Sequence, residues 1–95
     1  MKLLVTYKMK SGRAAGFLNE LRALGFPGIV RAEQGCKIYE YFLPADGSQD
    51  RVILVEEWES REKQALHMEQ PHIKRLAEIK PDYVAETTVE LIAER

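Results

Sequence analysis

Apolar residues along this chain keep two rhythms, one of two residues and one of three to four, and the switches between them mark out its elements. Residues 2–9 (KLLVTYKM) alternate, with Leu3, Val5, Tyr7 and Met9 on one face and Leu4 and Thr6 on the other, which predicts a strand. Ser11-Gly12 breaks that rhythm, and either residue offers a cap. Ala14, Phe17, Leu18, Leu21 and Leu24 then recur at three- and four-residue steps, predicting a helix over 13–24. Gly25 ends it, and Pro27-Gly28 reads as the stop. Residues 29–35 read as a connector. The stretch 36–43 (CKIYEYFL) predicts a second strand, with Cys36, Ile38, Glu40 and Phe42 on one face and Lys37, Tyr39, Tyr41 and Leu43 on the other. After a turn-rich loop over 44–50, residues 51–58 (RVILVEEW) predict a third strand that sets Val52, Leu54, Glu56 and Trp58 on one face and Ile53, Val55 and Glu57 on the other. Ser60 is a good N-cap for a helix over 61–69. Pro71 interrupts that helix, and a second piece follows over 72–79, with Gln70 as a weak cap and Pro71 at a tolerated first position. Pro81-Asp82 ends it before a last strand over 83–92, with Tyr83, Ala85, Val89 and Leu91 on one face.

The order β-α-β-β-α-β predicts an α+β fold of the ferredoxin-like kind, a four-stranded antiparallel sheet with helices on one face. The first three strands carry apolar residues on both faces. A sheet covered by helices on one side only then leaves a second apolar face, and the simplest cover is another copy of the chain, as a two-fold homodimer. At 95 residues the chain makes a single domain, 1–95, with a modest core of its own, which favours that pairing.

Apolar residues at 45% and charged residues at 31% are ordinary for a globular protein and exclude disorder. A net charge of -1, from 14 basic and 15 acidic side chains, argues against nucleic acid as a partner. The apolar run near the start is too short for an export signal or a membrane span. One cysteine, Cys36, excludes an internal disulfide, so the expected setting is reducing and cytoplasmic.

Several short segments, in order, resemble the antibiotic biosynthesis monooxygenase family of dimeric α+β barrels. Glu33-Gln34-Gly35-Cys36 followed by Tyr39 resembles the family's E-x-G-C-x-x-Y pattern before its second strand. VILVEEWES at 52–60 resembles its apolar strand ending in E-x-W. His67 with Gln70-Pro71-His72 resembles its H-x-x-S-x-H helix, with Gln70 where a small residue is usual. The match covers residues 1–92. What the resemblance implies is oxygenation of quinols, phenols or anthrones by O₂ without flavin, metal or haem. A second branch isomerises a small phosphorylated dione. Haem-degrading relatives use an asparagine on the first strand, where this chain has Tyr7 and Lys8, so haem is not carried over.

Such oxygenation needs a base to make an electron-rich anion, donors for the developing charge, and an apolar pocket. His67 and His72 are the natural bases. Five residues apart, they lie roughly 140° from each other on an unbroken helix, which with no third ligand evident argues against a zinc pair. Each has a competing reading as a helix-surface histidine, His72 more than His67. Trp58 offers an indole N–H and a stacking face, or simply fills the core. Glu56, a carboxylate among apolar neighbours, is a base, an orienter of histidine, or half of a salt bridge. Glu40 has the same readings. Tyr39, Tyr41 and Tyr7 are candidate substrate contacts or packing residues. Cys36 reads as inert packing.

Three functions follow: a cofactor-free monooxygenase on a quinol or related small phenolic or enolisable substrate; an isomerase of a small oxo compound, with Lys37, Lys74 and Arg75 as phosphate contacts where that compound is phosphorylated; and a non-catalytic dimer that binds a small ligand. Neither a cofactor nor a metal is expected for any of them.

Overall fold

The computed structural model describes residues 1–94. Its elements are β1 (Lys2–Met9), α1 (Ala14–Ala23), α2 (Phe26–Arg31), β2 (Cys36–Phe42), β3 (Arg51–Trp58), α3 (Arg61–Met68), α4 (Pro71–Ile79), a 3₁₀ turn over Lys80–Asp82, and β4 (Val84–Ala93). The strands form one antiparallel sheet in the order β2-β3-β1-β4, the ferredoxin-like arrangement, with both helical crossovers on one face. No helix among the described residues is long and apolar enough to cross a membrane.

The helix-covered face holds the core. Leu3, Val5, Tyr7 and Met9 of β1 and Val52, Leu54, Glu56 and Trp58 of β3 are all buried there, as alternation requires. Phe17 and Leu21 of α1 pack onto them together with Val30. Each such side chain contributes roughly 1.5–3 kcal/mol by leaving water. The opposite face carries Leu4, Ile53 and Val55, which are half-buried, and Phe42, which is exposed.

Four details differ from the pattern expected of the sequence. First, the stretch read as a connector begins with a helix, α2. Gly25 takes φ +68°, turning the chain so that Pro27 falls in the first turn of a new helix, and Phe26 and Val30, four apart, both reach the core. Pro27-Gly28 is thus a start rather than a stop. Second, α1 has neither Ser11 nor Gly12 as its cap: its N-cap is Arg13, without a side-chain bond. Third, the β2–β3 register shifts between Cys36 and Ile38, so Cys36 faces Trp58 on the core side instead of sharing a face with Ile38. A bulge adds one residue and flips the faces beyond it. Fourth, the β1–β4 register shifts between Lys8 and Met9, which takes Ala85 out of the pairing and places Val84 opposite Met9.

Ser60 caps α3 by accepting from the Lys63 amide at 3.2 Å. Gln70 stands at the N-cap of α4 without a side-chain cap bond; its side-chain amide donates instead to the Leu66 carbonyl at the end of α3, at 3.0 Å.

The turn that leads into β2 depends on Gly35, at φ +88°, where an added Cβ would stand 2.5 Å from Lys63 Cγ. Gly35→Ala is therefore expected to destabilise the chain by about 1–3 kcal/mol, through strain and crowding together. Gly28 is helical with open space around its Cα, and Gly28→Ala is expected to stabilise by about 0.5–1 kcal/mol. Urea unfolding of the two variants checks this; the reverse order of stabilities is the failing outcome.

Candidate functional site

A cavity of about 240 Å³ lies between the core face of the sheet and the pair α3 and α4. Its floor is Leu3, Val5 and Tyr7 of β1, with Tyr39 and Glu56 on one side and Thr87 and Val89 of β4 on the other. His67 and Met68 come from α3, and Leu76 and Lys80 from α4 and the turn after it. Val89 belongs to the core face yet is 59% exposed, and Met68 beside it is 56% exposed, so the cavity opens between α3 and β4.

His67 is held on three sides. Its Nδ1 lies 2.8 Å from Glu33 Oε2. Its ring stacks on the Trp58 indole, with centroids 4.5 Å apart and planes at 35°, and meets the Tyr39 ring edge-on at 5.8 Å. The same Glu33 oxygen sits 2.6 Å from His72 Nε2. An ionised carboxylate only accepts hydrogen bonds, so both imidazole nitrogens that face it donate. That assignment leaves His67 Nε2 as the basic nitrogen, at the cavity wall and 4.0 Å from Glu56 Oε1. The gap is wider than a direct hydrogen bond and suits a bridging oxygen.

Glu56 is buried, and Trp58 Nε1 donates to its Oε1 at 3.0 Å. Loss of water raises its carboxyl above the usual range; the Trp58 hydrogen bond and nearby His67 oppose the rise, and Glu33 adds to it. Burial likewise raises the Tyr7 phenol far above its ordinary value, with help from Tyr41 and Glu56. The Tyr39 and Tyr41 phenols are raised chiefly by burial, and the two hydroxyls lie 3.3 Å apart. All three tyrosines are therefore neutral donors at ordinary pH. Burial raises the Cys36 thiol too, which keeps it from acting as a nucleophile.

The expected site residues thus fall into two groups. His67, Glu56, Tyr7 and Tyr39 line the cavity. Trp58, His72 and Tyr41 stand behind it: Trp58 spends its N–H on Glu56, His72 binds Glu33, and Tyr41 reaches Tyr39. Glu40 lies on the surface and pairs with Arg31 at 3.0 Å. None of Lys37, Lys74 and Arg75 lines the cavity, whereas Lys80 does.

Helical geometry alone set the two histidines far apart and offered no third ligand. The break at Pro71 instead folds α4 back, so that both rings reach Glu33. Among the described residues, Glu33, His67 and His72 form the group able to hold a metal ion, with ligand atoms within 4.8 Å of one another. The oxygen lies between the two nitrogens in hydrogen-bond geometry, so an ion would have to displace both bonds. Glu33 and Lys80 are the two residues that the chemical reading of the sequence passed over. Glu33 was visible in the E-x-G-C segment, but only as part of a pattern.

The sequence pattern of the family described as Antibiotic biosynthesis monooxygenase matches residues 1–79. No curated protein matches the chain. Among solved structures, one described as an antibiotic biosynthesis monooxygenase is 22% identical, with 97% of this chain and 95% of that chain covered and a TM-score of 0.80. A protein of Pseudomonas aeruginosa is 24% identical, with 94% and 87% covered and a TM-score of 0.78. A conserved protein of Methanosarcina mazei Go1 is 17% identical, with 99% and 91% covered and a TM-score of 0.82. At these identities the likeness establishes the fold.

The raised carboxyl of Glu56 links stability to pH. A folded-state value above the unfolded one stabilises fully below the unfolded value, and that contribution is lost as pH rises through the folded value. Glu56→Gln keeps an acceptor for Trp58 and has no charge to bury. Its melting temperature is expected to match the parent's at acidic pH and to exceed it increasingly as pH climbs from the ordinary carboxyl value of 4.5 past the raised one. Thermal melts across that range check it; a difference that does not change with pH is the failing result.

Proposed function

This chain belongs to the antibiotic biosynthesis monooxygenase family, and on that premise we propose that it is a cofactor-free monooxygenase acting on a quinol or related small phenol. The observation that carries this reading is His67, with Nδ1 fixed by Glu33 at 2.8 Å and Nε2 turned to a largely apolar cavity.

The chemistry runs as follows. A ring hydroxyl enters between His67 Nε2 and Glu56, and Nε2 takes its proton. The positive charge that forms on the imidazole is stabilised by Glu33 through Nδ1–H. The anion is electron-rich enough to pass an electron to O₂, and the two radicals combine to form a C–O bond at a ring carbon. The resulting hydroperoxide keeps the hydrogen on that carbon; loss of this hydrogen with O–O cleavage expels water and leaves a carbonyl. One atom of O₂ ends in the product and the other in water, so phenol plus O₂ gives quinone plus H₂O. Tyr7 and Tyr39, kept neutral by burial, are donors for the oxyanion. Burial raises the Glu56 carboxyl, which favours its proton-bearing form beside the departing oxygen. The apolar floor excludes water, which would otherwise solvate the anion and weaken its reducing power.

The working unit in this reading is a dimer. Leu4, Ile53, Val55 and Phe42 on the helix-free face need cover, and the same face of a second copy supplies it.

Under air, the protein is expected to consume O₂ with a naphthoquinol in a one-to-one ratio and without added metal or flavin. His67→Ala should lower kcat/KM by about 10²–10⁴-fold. Glu33→Gln should lower kcat by less, with KM little changed, because it disturbs only the tautomer and the stabilisation of the imidazolium. An oxygen electrode with product analysis checks this; turnover that is indifferent to O₂, or an active His67→Ala, removes the proposal. Sedimentation at micromolar concentration is expected to give a dimer and Val55→Lys a monomer; a monomeric parent removes the dimer.

A further inference from the structure

Lys80 is the basic side chain of the cavity that the oxygenation chemistry leaves unused. It lines the cavity, and its ammonium sits 5.3 Å from the centroid of the Tyr7 ring. Among the described residues it has no carboxylate partner within ion-pair distance, and it is the one Lys or Arg among them that lines this cavity. Half-burial costs the ammonium part of its hydration and lowers it from the ordinary lysine value. A partly dehydrated cation at the wall of an apolar cavity gains from a buried anionic partner.

Lys80 reaches the cavity from the turn after α4, whereas His67 comes from α3 and Glu56 from β3. Tyr7 connects the two ends: Lys80 stands over its ring, while Glu56 acts on its hydroxyl. The cavity volume is below the roughly 300–1,000 Å³ of drug-sized sites, so its occupant is one or two rings. Such a molecule can reach the base with one end and Lys80 with the other. A single ammonium, with no second lysine or arginine among the described lining residues, balances one negative charge.

We propose that Lys80 binds a carboxylate on the far end of the substrate, so that the cavity selects a hydroxylated aromatic acid over the neutral phenol of the same ring system. This deepens the oxygenase reading and rests on it for the identity of the reacting end, but its test needs no turnover.

The probes are 6-hydroxy-2-naphthoate, with its two oxygen groups at opposite ends, and 2-naphthol, which lacks the carboxylate. Their binding to the full chain is followed by titration calorimetry and by quenching of Trp58, the one tryptophan, which stacks on His67. The acid is expected to bind about tenfold tighter than the naphthol, the worth of one charge-assisted contact. Lys80→Met should abolish that preference while leaving naphthol affinity unchanged, and Lys80→Arg should retain most of it. Equal affinities in the parent overturn the proposal, as does a preference that survives in Lys80→Met. Should Lys80→Met not fold, the parent comparison and Lys80→Arg still decide. An absence of oxygen consumption with a preference for the acid intact would remove the oxygenase and leave Lys80 as the anion anchor.

Discussion

One carboxylate ties this molecule together. Glu33 lies in the short link between α2 and β2, and its Oε2 receives His67 of α3 and His72 of α4. Two consecutive helices and a link 34 residues ahead of His67 are joined at a single oxygen. The link can reach because Gly35 turns the chain at positive φ directly after it, a conformation that a side chain there would oppose. The helices can reach because Pro71 breaks them into two. Buried polar groups are costly unless each has a partner, and here every buried side-chain nitrogen and oxygen among the described residues has one. The cluster therefore specifies one arrangement of the helices over the sheet, and the same bonds choose the tautomer of His67.

The sheet divides the remaining work between its two faces. On the helix side, the alternating rhythm of β3 places Glu56 and Trp58 in the row of Val52 and Leu54, so a carboxylate and an indole are buried by the same periodicity that buries the core. Trp58 then acts twice. Its ring supports the face of His67, and its N–H holds the Glu56 oxygen that looks at His67 Nε2. On the other side, the half-buried Leu4, Ile53 and Val55 leave a surface that one copy does not cover.

Much of this was legible in the chain. The faces of β1 and β3 follow from alternation without exception, and the cap at Ser60 follows from its hydroxyl. What escaped reading has local physical causes. The bulge after Cys36 reverses a face, and no pattern confined to one strand reveals an extra residue paired against its neighbour. Helix α2 was hidden because Pro27-Gly28 is turn chemistry taken alone, although Phe26 and Val30 stand at helical spacing around it. In the site, Glu56 was visible because a carboxylate amid apolar residues violates the surrounding rhythm, and His67 because an imidazole is a natural base and its segment resembles the family's histidine helix. Glu33 and Lys80 violate nothing locally. Each sits in a polar stretch, and only tertiary folding brings one to two imidazoles and the other to the cavity wall.

The charges of the cavity follow from that layout. An anion formed at the base meets two tyrosines held neutral by burial and a carboxyl whose ionised form burial disfavours. The full negative charge of the cluster stands one ring away, at Glu33, where it faces the imidazolium rather than the substrate. Had the acidic group lain on the cavity side of His67 and the neutral one behind, the same residues would hold the histidine equally well and oppose the substrate anion. The sequence distance between Glu33 and Glu56 thus has a chemical meaning: the first enters from the link before β2 and meets both imidazoles, the second from a buried strand, where loss of water raises its carboxyl.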